Sequence, residues 1–282
     1  MKLAYHGATS MKSDLETDVK ATAKAGFKAL ELWAAKIDAY LKTHSLADLA
    51  SLLKSHSVEP ASINSIEFIA FRGDGYVKIQ NRLKQLCEIS AGIDNTKIVV
   101  VPSPTPRPAG DDPNFAWTKV VDEYVTVLRD MSDIAKPYGV SLCFEFLGFG
   151  WCSVRTPKGA AEIVKKVARD NVGINFDSCH FYGGGGELNE IDLLDPKQIY
   201  TLHLNDLEDL PKEAITDAHR LLPGLGVINL GGICSHLQKI GYDGCCSIEL
   251  FRPEYWAWDP YKLAEESRKA AIQVLSPYFH LE

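Results

Sequence analysis

The chain has 282 residues, of which 46% are hydrophobic and 24% charged, an ordinary balance for a globular protein with a substantial core. Thirty basic against 37 acidic residues leave a formal charge of −7, which provides no electrostatic footprint for nucleic acid or an anionic membrane surface. No apolar run approaches the length of a membrane span, so no membrane or nucleic-acid partner is expected.

In chain order, strand-like runs fall near residues 2–7, 28–33, 60–66, 97–101, 140–146, 172–177, 198–205 and 245–251. Amphipathic stretches near 14–25, 45–56, 76–92, 115–136, 157–169, 229–240 and 260–275 read as helices between them. Apolar residues at helical spacing support several, among them Val120, Val121, Tyr124, Val127, Leu128 and Met131. Gly26, Gly139 and Gly241 stand where a helix should end before a strand. Alternation at about 35 residues per unit predicts one α/β domain over 1–282, a (β/α)8 TIM barrel. An open doubly wound sheet is disfavoured, because no Gly-rich phosphate turn follows the first strand.

The irregular stretches follow strands: Phe68–Tyr76, Pro102–Asn114, Gly148–Thr156, Ser178–Asn189 and Asp206–Val227. In a barrel these loops gather at the C-terminal face and cover a pocket. The Pro-rich segment 101–108 is expected to be a stiff loop over the mouth, and the tetraglycine Gly183–Gly186 to be slack. Seven cysteines, odd in number and without CxxC spacing, fit reduced thiols. Because the opening residues already read as a strand, a cytoplasmic location is expected.

Four runs in the second half carry the chemistry. SLCFEFLG presents Glu145, NVGINFDS presents Asp177, IYTLHLND presents His203 and CCSIELFRPEYW presents Glu249. Side chains alternate faces along a strand, so each run splits into an apolar face and a small, polar one. A strand buried on both faces should be apolar on both. Three carboxylates and an imidazole converging without a cation would repel or be left unpaired, which points to one divalent metal held by Glu145, Asp177, His203 and Glu249. Oxygen and nitrogen donors without thiolate suit Mn, Zn, Co or Mg, and spacing does not choose among them.

A metal that holds a carbonyl oxygen and a neighbouring hydroxyl acidifies the intervening C–H. Glu145 and Glu249 would flank such a substrate and act as an acid/base pair in isomerisation or epimerisation. His180 is a candidate for a substrate oxygen or a second metal, and Asn64 and Arg220 for hydroxyl contacts. Arg252 and Glu254 are expected to pair with each other, and Cys179 to be a small buried residue.

EFLG at 145–148, FDSCHF at 176–181, the His203 strand followed by Asp206, and PGLG at 223–226 together resemble motifs of the xylose-isomerase-like barrel superfamily of sugar isomerases and epimerases. ELFRPEY at 249–255, DIAKPYGV at 133–140, RDNVG at 169–173 and HSLADLA at 44–50 are similar to stretches of its inosose (2-keto-myo-inositol) isomerase family. The resemblance implies a single-metal barrel that moves the carbonyl of a keto-polyol to the adjacent carbon through a cis-enediolate. Ketohexose 3-epimerases of the superfamily carry an Arg where this chain has Asp209, and an acidic residue where it has Trp151. Trp151 is accordingly counted among the substrate contacts. A metal-dependent dehydratase or lyase, a ketose 3-epimerase and a non-catalytic sugar-binding barrel are the alternatives. The sequence leaves room for a homo-oligomer without specifying one.

Overall fold

The structure is a computed structural model, and residues 1–106 and 116–282 are described. The barrel strands are β1 (Lys2–His6), β2 (Ala29–Trp33), β3 (Glu59–Ile66), β4 (Lys97–Val100), β5 (Ser141–Glu145), β6 (Val172–Asp177), β7 (Ile199–Leu204) and β8 (Cys245–Ile248). Each pairs in parallel with its neighbours, and β1 pairs with β8 to close the ring. The expected (β/α)8 barrel is the observed fold.

Ten helices are described: α1 (Leu15–Ala25), α2 (Ala34–Tyr40), α3 (Leu46–Ser55), α4 (Tyr76–Gly92), α5 (Trp117–Ala135), α6 (Pro157–Val167), α7 (Ser178–Gly183), α8 (Leu188–Ile191), α9 (Leu230–Lys239) and α10 (Pro260–Leu275). The seven long ones are those expected from periodicity. None is long and apolar enough to cross a membrane. The remainder of the Pro-rich segment, residues 107–108, most of the loop expected at 102–114 and the start expected for α5 at 115 lie outside the described residues.

Pleating decides where everything goes. Leu3 and Tyr5, Leu30 and Leu32, Ile98 and Val100, Leu142 and Phe144 point outward and are buried in the layer between barrel and helices. The inward residues are small in the lower part of the barrel, where Ala4, Ala29 and Cys245 pack together. They become polar towards the C-terminal ends, and the register fixes which meet: His6 lies beside Glu31, Trp33 beside Asn64, Glu145 beside Asn175, and Asp177 beside His203.

Three short helices escaped the periodicity because seven residues or fewer give too little pattern to read. The tetraglycine is not slack. A Cβ on Gly184 would stand 2.1 Å from the Arg155 carbonyl, and one on Gly186 2.5 Å from the Phe181 ring. These glycines allow the α7 exit to press against the loop after β5.

Candidate metal centre and substrate pocket

The site is assembled from strand ends. Glu145 ends β5, Asp177 ends β6, His203 is the penultimate residue of β7, and Glu249 follows β8 directly. One donor atom from each of the four lies within 4.8 Å of the others, and all four side chains are buried. His203 Nδ1 sits 2.9 Å from Glu145 Oε1, 3.0 Å from Glu249 Oε2 and 3.9 Å from Asp177 Oδ2. Anions buried this closely are costly unless cations lie among them.

Two protein cations meet part of that need. Arg220 is 1% exposed, and its Nη1 donates to Asp177 Oδ2 at 2.8 Å and to Glu249 Oε2 at 2.7 Å. Its Nη2 donates to Asp217 Oδ1 at 2.8 Å. The second cation is His203. Burial alone would lower its affinity for a proton, but Glu249, Glu31 and Glu145 outweigh that and hold it well above the ordinary imidazole range. Burial pushes the Glu145 carboxyl up to about 8 against the pull of His203. Burial also opposes ionisation of Glu249, yet His203, Arg220 and His6 overcome it and keep that carboxyl well below its usual range. The set of three hard oxygen donors and one imidazole fits a divalent metal. Cys179 stands near Asp177 in a second grouping, but burial pushes its thiol well up, so it offers no thiolate there.

Arg220 is placed by a two-residue ribbon in which Asp206–Leu207 pairs antiparallel with Arg220–Leu221. Asp206 braces the PGLG turn by accepting from the amides of Gly224, Gly226 and Ile228. The resemblance motif is thus a frame for one arginine. Arg252, expected to pair with Glu254, does so at 3.3 Å and also reaches Glu208 at 2.6 Å.

A cavity of about 210 Å³ opens above the cluster. Asn64, Glu145, His180, Arg220 and Glu249 supply its polar floor. Trp33, Phe68, Phe149, Trp151 and Phe251 form its wall, with Trp151 stacked on Phe149 at 5.4 Å and 42% exposed at the rim. Phe68 holds a left-handed φ of 57°, a strained backbone of the kind that gathers at functional sites. His180 Nε2 accepts from Arg220 Nη2 at 3.1 Å, since a guanidinium only donates. Nδ1 therefore carries the proton of the neutral ring, and this buried N–H has no partner among the described residues. Burial lowers the His180 pKa, which keeps the ring neutral.

All residues expected at the site line this cavity or the cluster beneath it. Two buried residues that face the cluster were not expected, His6 and Glu31. Glu31 Oε2 lies 2.9 Å from His203 Nε2, and His6 Nε2 lies 3.1 Å from Glu249 Oε1. His6 carried the same signal as the four, a polar residue ending an apolar run (KLAYH). Glu31 sits inside ALELW, where one carboxylate between leucines resembles a surface residue on a half-exposed strand.

Comparisons with known proteins agree with this fold. A family model described as xylose isomerase-like TIM barrel matches residues 19–276. The inosose isomerase of Bacillus velezensis is 37% identical over 285 residues, covering all of both chains. That of Bacillus subtilis is 35% identical over 284 residues, again covering both chains in full. Among solved structures, the IOLI protein with a binding zinc atom superposes with a TM-score of 0.94 at 35% identity, covering 99% of each chain. The chain belongs to the xylose isomerase-like TIM barrel family and is an enzyme of its isomerase kind.

Proposed function

We propose that the protein is a metal-dependent isomerase that moves the carbonyl of an inosose, 2-keto-myo-inositol or a close keto-polyol, to the adjacent ring carbon through a cis-enediolate. The buried cluster of Glu145, Asp177, His203 and Glu249 opening onto an aromatic-walled cavity carries this reading. These four would hold one divalent ion, of Mn, Zn, Co or Mg, as a Lewis acid for the carbonyl and its neighbouring hydroxyl. Glu249 and Glu145, both facing the cavity, would be the pair that removes a proton from the hydroxyl-bearing carbon and returns it to the former carbonyl carbon. His180 Nδ1–H and Asn64 offer donors to ring oxygens, Arg220 bears on the oxyanion side, and Trp151 and Phe149 cover the C–H face of the ring.

Size and charge select the substrate. The cavity is smaller than the ~300–1,000 Å³ typical of drug-sized ligands, which suits one six-membered ring. Arg220 is the one cation among the described lining residues, and three carboxylates already engage it. A phosphate or carboxylate on the substrate would find no free counter-charge.

Incubating metal-loaded protein with 2-keto-myo-inositol in D₂O and following the products by NMR tests the reading. The expected result is a positional isomer of unchanged mass apart from deuterium at the carbon that regains the proton. Loss of water would move the assignment to a dehydratase. Turnover of a ketohexose without reaction of any inosose would place the enzyme with the 3-epimerases.

A further inference from the structure

We propose that Glu31 is a positioning residue for the metal centre: it accepts the Nε2–H of His203 and thereby presents Nδ1 to the cation. The inference rests on the metal-centre reading above and adds a residue from the opposite side of the barrel. Glu31 and His203 are both fully buried, and they face each other across the barrel interior from β2 and β7. The two rings of contacts around the imidazole are unequal. Nδ1 faces Glu145 and Glu249, both in the four-residue cluster, whereas Nε2 faces Glu31 Oε2 at 2.9 Å. A neutral imidazole has one N–H and one lone pair, so a carboxylate fixed at Nε2 keeps the proton there and leaves the Nδ1 lone pair for a metal.

Glu31 is itself fixed. Its other oxygen, Oε1, accepts from Asn64 Nδ2 at 3.3 Å. Asn64 also donates to Glu249 Oε1 at 3.2 Å. His6 is held by the Ala8 amide, which donates to its Nδ1 at 2.9 Å. Its Nε2 consequently bears the proton and lies 3.1 Å from Glu249 Oε1 and 3.9 Å from Glu31 Oε1 without a hydrogen bond to either. The ends of β1, β2 and β3 therefore form a buried outer layer that orients two members of the cluster, and Glu31 is its centre.

Glutamine is the discriminating replacement. Glu31 accepts from two donors, Asn64 Nδ2 and His203 Nε2, and an amide has only one carbonyl oxygen for both. Glu31→Gln should bind Co²⁺ about 10–100-fold more weakly in a chelator-competition titration, the range seen when outer partners of metal ligands are changed. Its Co²⁺ absorption spectrum should also differ from that of the native protein. Affinity within twofold and an identical spectrum would overturn the inference while leaving the metal centre intact. No Co²⁺ uptake by the native protein would overturn both. Should the variant not fold, ¹⁵N-histidine NMR of the Zn²⁺-loaded native protein decides the matter: His203 is expected as the Nε2–H tautomer with Nδ1 metallated, and metal at Nε2 sinks the proposal.

Discussion

At the scale of single residues, the two glutamates differ in ways that kinetics can read. Glu249 has two cationic neighbours, His203 and Arg220, whereas Glu145 has His203, with Asn175 donating to it at 2.8 Å. Glu249→Gln keeps the shape and one coordinating oxygen but cannot take up a proton, so kcat should fall about 10²–10⁴-fold. Glu145→Gln should fall similarly if protons are handled from both sides of the ring. A loss below about tenfold in Glu249→Gln removes it from proton transfer. A large loss in only one variant points to a single glutamate shuttling the proton and the other serving as ligand. What made Glu145, Asp177, His203 and Glu249 legible is that each is one chargeable group at the end of an apolar run. Glu31 was not legible, because its partner is 172 residues away and only barrel closure brings them together.

Between elements, the entrance of the barrel is pinned by a buried ion pair that no local pattern announces. Lys36 on α2 donates to Asp18 Oδ2 on α1 at 2.6 Å and to the carbonyls of Gly7 and Ser10 at 2.8 Å each. Asp18 Oδ1 accepts from Ser10 Oγ at 2.7 Å and Ser13 Oγ at 2.5 Å. This clamp folds the loop after β1 over α2 and holds Gly7, the neighbour of His6. Sequence periodicity found α1 but not α2, whose seven residues lack a side-chain cap and are held by Lys36 and Ile37 turning inward. Removing one partner of a buried pair costs about 3–5 kcal/mol. Lys36→Met should lose that much, and Asp18→Asn combined with Lys36→Met should lose less than the single change.

The pH dependence of the same clamp carries a sign. Burial raises the Asp18 carboxyl from 3.8 to about 6 even though Lys36 pulls it down. An acid whose folded pKa is raised contributes stability below its unfolded pKa, and this is lost as pH rises through the folded value. Native stability from this group therefore declines between about pH 4 and pH 6 and is flat above. Without Lys36 the carboxyl moves higher still, so Lys36→Met should continue to lose stability from pH 6 to pH 8. Urea unfolding at pH 5, 6, 7 and 8 checks this, and parallel curves for the two proteins would refute it.

Over the whole molecule, the barrel divides its labour along its axis. Small apolar residues fill the lower interior, and the polar load is concentrated at the C-terminal ends, where loops cover it. Alternating faces made the barrel and half of that polar layer readable. The other half, from β1 to β3, has its polar residues spaced among leucines and tryptophan and became visible only through the register. The packed tetraglycine and the ribbon that carries Arg220 depend on contacts between distant loops, which no spacing rule encodes.

The concentration of charge at one end gives the last prediction. Glu31, Glu145, Asp177 and Glu249 share one buried space with only Arg220 and His203 as close cationic partners. A divalent ion relieves that imbalance in the folded state alone, since the unfolded chain scatters its ligands. Binding should therefore raise stability by RT ln(1 + [L]/Kd), about 2.7 kcal/mol at a hundredfold excess over Kd. In a chain of this size that corresponds to a rise in Tm of roughly 5 °C. Entry of the ion must also release the proton that Glu249, Glu31 and Glu145 hold on His203, so apparent affinity should strengthen as pH rises. Thermal unfolding of EDTA-treated protein with added Zn²⁺, Mn²⁺, Co²⁺ or Mg²⁺ measures both effects. Asp177→Ala and His203→Ala should abolish the rise, and chelation should abolish turnover. Full activity in a preparation shown by elemental analysis to be metal-free would end the metal-centre reading.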